Sequence, residues 1–270
     1  MTMPIDLVLV RHGESEGNAA TGRSKKGDHS DYTPKFTDRH NSTWRLTDKG
    51  IEQAKIAGEW IRANIGGNFD RYYVSDYNRA GETAYHLGLP DAAWFVDFNL
   101  RERDWGYWDS MSREEREERF AEQVRSLKRD RFYAAPPNGE SMATICGLRI
   151  GGRHFDTLHR ECSEMRVISV NHGEIIWAHR VAIERMLPRV FKELDASKDP
   201  KNRIHNCQIL HYTRRDPETG IVVDYIGWMR SVCPTDLSLS TNDWQKVERP
   251  RYTNEQLRQE FERTPRMIAE

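Results

Sequence analysis

Cysteine is scarce in this 270-residue chain: Cys146, Cys162, Cys207 and Cys233 are the only four, and no two form a CxxC pair. That spacing argues against a zinc ribbon or a disulfide framework. It leaves scattered free thiols suited to a reducing compartment, so a cytoplasmic location is expected. An excess of charge is lacking too, with 41 Lys and Arg against 42 Asp and Glu. Without a net positive field, non-specific binding to nucleic acid is not expected. No apolar run reaches the roughly 18 residues that span a bilayer. A core-like strand begins close to the first residue, so neither a signal peptide nor a membrane partner is expected.

What remains is a chain with 37% apolar and 31% charged residues, enough for one large domain or two small ones. Ile5–Val10 reads as a short buried strand. A polar stretch without a clear period follows from Glu14 to Arg45 and reads as one long loop. Thr47 then caps a helix with apolar positions Ile51, Ala54, Ala57, Trp60, Ile61 and Ile65, stopped by Gly66-Gly67. Further strands are expected at Tyr72–Ser75, Trp94–Phe98, Val167–Val170, Cys207–Thr213 and Ile221–Arg230. Helices are expected at Arg79–Leu87, from Ser112 to the break at Pro136-Pro137, over Ser141–Glu161 and over Glu174–Leu187. The tail after Pro234 is polar, with one short helix near Thr253–Arg263. We therefore expect a domain over 1–233 and a polar extension over 234–270. Alternation of strand and helix favours a largely parallel sheet with helices on both faces, a three-layer α/β/α sandwich.

One turn is used twice. Leu7–Val10 leads into Arg11-His12-Gly13, and Val167–Val170 leads into Asn171-His172-Gly173. A buried strand ending in His-Gly places an imidazole at the carboxyl edge of the sheet, where open α/β sheets bind ligands. Two such histidines with arginines close by suit a phosphate. Phosphoryl transfer needs charge stabilisation on the equatorial oxygens, which guanidinium forks supply. A neutral imidazole can form a covalent intermediate, and a carboxyl with a raised pKa can protonate the leaving oxygen. The other histidines, His154, His159, His179, His205 and His211, lack ligand spacing and read as structural or surface residues.

The run Leu7–Asn18, with Arg11-His12-Gly13 at its centre, resembles the histidine phosphatase superfamily, also called the phosphoglycerate mutase-like family. Further similar segments follow in order: Leu46–Gly50 with Gln53-Ala54, Ser75–Ala80 with Glu82-Thr83-Ala84, Leu100–Gly106, Pro137–Ser141, and Asn171-His172-Gly173. The resemblance covers about residues 5–230. It implies the phosphoglycerate mutase-like fold and a phosphohistidine chemistry that needs no metal and no cofactor. His12 would be the nucleophile, with Arg11 and Arg79 on the phosphoryl oxygens. His172 would complete that pocket, beside Gly173. Glu102 would be the acid, ahead of its rival Asp104, and Asn18 matches a position near the phosphate.

Two features depart from the family. Asp76-Tyr77 stands where many members have Ser-Pro-Leu, so the geometry before Arg79 is expected to differ. The stretch Ala19–Arg45 is longer than in compact members and carries Lys25, Lys26, Tyr32, Phe36 and Trp44. It is expected to overhang the pocket and touch the substrate beyond its phosphate. The segment Arg101-Glu102-Arg103-Asp104-Trp105-Gly106 looks closer to phosphatase-type members than to mutases, which usually carry Glu-Arg-His-Tyr-Gly. The expected activity is hydrolysis of a small phosphomonoester, with a phosphoglycerate mutase as the alternative and a non-catalytic binding module behind both. Homo-oligomerisation stays open.

Overall fold

The computed structural model describes residues 2–268. Among these, seven strands form one sheet: β1 (Asp6–Arg11), β2 (Arg71–Val74), β3 (Trp94–Val96), β4 (Arg166–Asn171), β5 (Ile209–Thr213), β6 (Trp228–Val232) and β7 (Thr241–Lys246). Their order is β3-β2-β4-β1-β5-β6-β7. The first four positions pair in parallel, and the β1–β5, β5–β6 and β6–β7 ladders are antiparallel. The sheet is thus mixed, with its parallel half where strand and helix alternate in sequence.

The helices before the second strand are α1 (Glu16–Ser24), α2 (Pro34–Thr37) and α3 (Asp48–Asn64). They are followed by α4 (Asn78–His86), α5 (Arg113–Arg119), α6 (Ala121–Arg129), α7 (Met142–Thr144) and α8 (Phe155–Glu161). Then come α9 (Gly173–Glu184), α10 (Pro188–Asp195) and α11 (Asn254–Glu262). Side chains on a strand alternate between faces, and β1 uses both faces for core. Leu7 and Leu9 pack with Ile145, Ile150, Leu158 and Ile175 from the 142–184 helices. Val8 and Val10 pack with Ala54, Ala57 and Ile61 of α3 and Ala80 and Ala84 of α4. Burial on both sides explains why the central strands read as unbroken apolar runs.

Four expectations need correction. The stretch 14–45 is not one loop: it holds α1, α2 and a short turn at Asn41–Thr43. Helix α1 buries only Gly17, Ala20 and Ser24, so no apolar period marks it in the sequence. Ser15 nevertheless caps it, in a reciprocal box with Asn18. The helix from Ser112 is two, α5 and α6, broken at Phe120. The strand expected at Ile221–Arg230 begins only at Trp228, because β5 ends at Thr213 opposite Trp228 and offers earlier residues no ladder. Within 234–270, polar β7 joins the sheet as an edge strand. The segment expected as a helix over Ser141–Glu161 is helical through a wide π stretch, Ile145–His154, that includes Gly151-Gly152.

Strand register positions the site. β1 and β4 run side by side with Arg11 opposite Asn171. The next residue on each strand is a histidine, so His12 and His172 leave the same sheet edge as neighbours. Their ring centroids lie 5.0 Å apart.

Candidate active site

His12 is almost completely buried, and its surroundings determine which nitrogen is free. Nδ1 lies 2.7 Å from the Gly13 carbonyl oxygen. A carbonyl only accepts, so Nδ1 carries the proton and Nε2 carries the lone pair. Arg79 donates to that lone pair from Nε at 3.2 Å. Burial, then Arg79, then Arg11 hold the His12 pKa well below the usual histidine value.

The backbone around His12 is clamped from α4 and α3. The Gly13 N–H donates to Thr83 Oγ1 at 3.0 Å, and that hydroxyl donates to the Arg79 carbonyl at 2.7 Å. Gly13 also approaches the Gly50 backbone so closely that a Cβ there would overlap the Gly50 carbonyl. Arg79 itself is buried in the first turn of α4. Its Nη1 donates to the Asn41 carbonyl at 2.7 Å. The Tyr77 ring lies 4.8 Å from the Arg79 guanidinium carbon and 5.1 Å from the His172 ring. The Asp76-Tyr77 departure from the family thus supplies an aromatic wall that supports both groups.

His172 is fully buried, with Nε2 2.8 Å from Ser75 Oγ and Nδ1 lacking a hydrogen-bond partner. Its pKa is driven well below the usual value by burial, Arg79 and His12. It is also the N-cap of α9, which has no side-chain cap. Gly173 lies beside Arg11, whose Nε would make an ordinary contact of 3.5 Å with a Cβ there. Arg11 is anchored by Nη1 on the Ile204 carbonyl at 2.6 Å, while its Nε is buried and unpartnered. Asn18 accepts from Asn206 at 3.1 Å, and Asn206 also donates to the His12 carbonyl at 3.1 Å.

Glu102 reaches the same place from the loop after Leu100. Donor atoms of His12, Glu102 and His172 all lie within 4.8 Å of one another. Such a trio could hold a cation by spacing, but Arg11 and Arg79 beside it favour an anion. Burial raises the Glu102 pKa, with Glu174 adding to the rise and Arg79 opposing it. Its loop is fastened by Glu140, which accepts from Asp104 N–H at 3.0 Å and pairs with Arg149 at 2.6 Å. Asp104, the rival acid, instead accepts from Gly106 N–H at 2.7 Å.

Of these residues, His12, Asn18, Arg79 and Glu102 line a cavity of about 210 Å³, and Arg11, His172 and Gly173 do not. Trp105, Asp109 and Arg116 also line it and were not anticipated from the sequence. Asp109 has its pKa pushed up to about 6, chiefly by burial. The 19–45 stretch does reach the cavity, through Thr21, Asn41 and Trp44, whereas Lys25 and Lys26 are exposed and do not line it. Trp44 stacks on Phe36 at 4.7 Å and packs where Gly17 has no Cβ. A cavity of about 640 Å³ lies against the other face of α1, bordered by both signs of charge, including Glu14, Arg23 and Lys49.

The family model of the histidine phosphatase superfamily (branch 1) matches residues 7–222. The chain belongs to this superfamily. A 2,3-bisphosphoglycerate-dependent phosphoglycerate mutase of Brucella melitensis is 30% identical over 190 residues, covering 67% of this chain and 82% of that protein. The enzyme of the same name from Bartonella quintana is 34% identical over 186 residues, covering 66% and 81%. Among solved structures, the α-ribazole phosphatase from Shigella flexneri aligns with a TM-score of 0.58 at 18% identity, covering 82% of this chain and 95% of that one. A mycobacterial glucosyl-3-phosphoglycerate phosphatase aligns with a TM-score of 0.58 at 22% identity, covering 77% and 92%. At those identities the structural likeness establishes the fold. No helix among the described residues is long and apolar enough to cross a membrane.

Proposed function

We propose that this protein is a metal-independent phosphohydrolase that cleaves a small phosphomonoester through a phosphohistidine on His12. The observation that carries the reading is the enforced tautomer: Nδ1 is committed to the Gly13 carbonyl, leaving Nε2 as a neutral nucleophile facing Arg79. In the first step Nε2 attacks phosphorus, an N–P bond forms and the bond to the leaving oxygen breaks. Glu102 gives its proton to that oxygen. When the phosphoryl group is present, Arg79 and Arg11 turn their donors to its oxygens, with His172 beside them. In the second step Glu102 takes a proton from water, the oxygen attacks phosphorus, and the N–P electrons return to Nε2. Phosphate leaves and Glu102 is protonated again.

Both pKa directions favour this cycle, since Glu102 is raised and His12 is lowered. The cavity size supports a small leaving group. Phosphate release from a panel of phosphomonoesters, in excess EDTA, tests the reading. Release by the wild type and not by His12→Ala supports it. Activity that EDTA abolishes, or that survives in His12→Ala, sinks it.

A second reading is a phosphoglycerate mutase, favoured by the names of the 30–34% identical relatives. It would use the same phosphohistidine but need a bisphosphate to prime His12. Conversion of one monophosphoglycerate to the other only with added bisphosphate, and without phosphate release, would favour it. The Asp104-Trp105 pair, where mutases usually carry His-Tyr, weighs towards hydrolysis.

A further inference from the structure

Arg116 stands between two cavities. It lines the 210 Å³ cavity that holds His12, and also a 280 Å³ chamber walled by Trp105, Trp108, Val124 and Leu127. Its neighbours on α5 are neutralised, Arg113 by Glu117 at 3.3 Å and Arg119 by Glu115 at 2.6 Å. Arg116 makes no such ion pair among the described residues, and its Nε is buried with no hydrogen-bond partner. The Trp108 ring, 6.0 Å from the guanidinium carbon, stands at the outer reach of a cation–π contact, which is weaker than a paired carboxylate. Asp109, on the same cavity wall, and Glu115 favour the Arg116 charge only from beyond ion-pair distance.

A cation partly removed from water without a partner is unfavourable. A ligand that arrives with an anion removes that penalty. A separate observation points the same way. Trp44, on the cavity wall contributed by the 19–45 stretch, also buries its indole N–H without a partner. Both of these groups are donors; set against them on the same wall is one unpartnered acceptor, Asn41 Oδ1. Neither donor is among the groups assigned to the phosphoryl oxygens, so the surplus of donors lies on the leaving-group part of the site.

We propose that Arg116 is a specificity residue that binds a second anionic group, a carboxylate, on the leaving group of the phosphomonoester. The proposal rests on the reading of the His12 cavity as a phosphoryl site. A planar guanidinium suits a carboxylate through two parallel hydrogen bonds, and the Trp105 and Trp108 rings beside it lower the local polarity.

Phosphonates test this without turnover, because their C–P bond is not hydrolysed. Phosphonoacetate, phosphonopropionate and phosphonobutyrate are titrated by calorimetry against ethyl-, propyl- and butylphosphonate, using wild type, Arg116→Gln and Arg116→Lys. At one chain length the carboxylated ligand should bind about ten-fold or more tightly than its alkyl match, as expected for a charge-assisted pair. That gap should close in Arg116→Gln and partly return in Arg116→Lys. Equal binding within every pair by the wild type overturns the second-anion site while leaving the phosphoryl cavity intact. A gap that persists in Arg116→Gln overturns the role of Arg116. No binding of any phosphonate overturns the phosphoryl site itself, and this proposal with it.

Discussion

Glu102 and His12 face one cavity with their pKa values pushed towards each other. Burial raises Glu102, and burial with two arginines lowers His12. As pH rises, His12 loses its proton below the usual 6.5, while Glu102 keeps its proton above the usual 4.5. The productive pair, neutral imidazole with protonated carboxyl, therefore populates an acidic-to-neutral window. Activity should rise through the low His12 pKa and fall through the raised Glu102 pKa. Glu102→Gln should lower kcat for an alkyl phosphate by about 10²–10⁴ and remove the descending limb. In the first step, read as the pre-steady-state rate of leaving-group release, the loss should be much smaller for p-nitrophenyl phosphate, whose leaving group needs no proton. Equal first-step losses on both substrates would remove Glu102 from the acid role. Thr83 is a positioning residue, because its hydroxyl links the Gly13 N–H to the Arg79 carbonyl. Thr83→Val should orphan the Gly13 N–H at a cost of about 1–3 kcal/mol. It should also lower kcat more than KM changes, measured by denaturation and steady-state kinetics. His12, His172 and Glu102 were legible because each sits in or just after a local pattern. Thr83 and Arg116 were not, because their importance depends on contacts far along the chain. A helical Thr and one Arg in a Glu/Arg-rich helix carry no local signal.

Elements whose burial is periodic announced themselves. Strands β1 and β4 are apolar on both faces, and α3 has a full apolar stripe. By contrast, α1 packs through Gly17, Ala20 and Ser24, and β7 reads Thr-Asn-Asp-Trp-Gln-Lys with most of its side chains in solvent. Small-residue packing and edge pairing are decided by partners, so neither leaves a hydrophobic period. The contact between α3 and α4 shows how strict such packing becomes. At Gly58 of α3, a Cβ would overlap the Leu87 carbonyl at the end of α4, whereas Gly22 of α1 has nothing within 4 Å. Gly58→Ala should therefore destabilise by about 1–3 kcal/mol, the usual result of overpacking. Because α4 carries Arg79, KM for phosphomonoesters should rise as well. Gly22→Ala should stabilise by about 0.5–1 kcal/mol through helix propensity alone. Denaturant midpoints of the two variants check the contrast, and a matching change in both would contradict the packing argument.

Across the whole molecule, burial of neutral histidines links catalysis to acid stability. His12, His172, His179 and His211 are all buried with pKa values below 6.5, and His179 is lowered to about 3. Their unfolded counterparts protonate near 6.5. Below that pH the unfolded chain binds more protons than the fold, so stability present above 6.5 is lost as pH falls. Asp109 works in the opposite direction. Its carboxyl, raised to about 6, lets the fold keep a proton that the unfolded chain releases, which stabilises the fold as pH falls from 6 towards 3.8. Glu102, also raised, adds to Asp109, but four histidines outweigh these two carboxyls, so the denaturant midpoint should drop between pH 7 and pH 4. His179 isolates the effect because it lies away from the cavity, with Nδ1 bonded to the Ile175 carbonyl at 2.8 Å and Nε2 unpartnered. His179→Leu should flatten the acid slope by about 1.4 kcal/mol per pH unit, one proton's worth, between 6.5 and 3. It should leave the pH profile of kcat unchanged, because His12 and Glu102 keep their surroundings. An unchanged stability slope in His179→Leu would mean that this histidine is not among the groups that the acid-unfolded chain protonates.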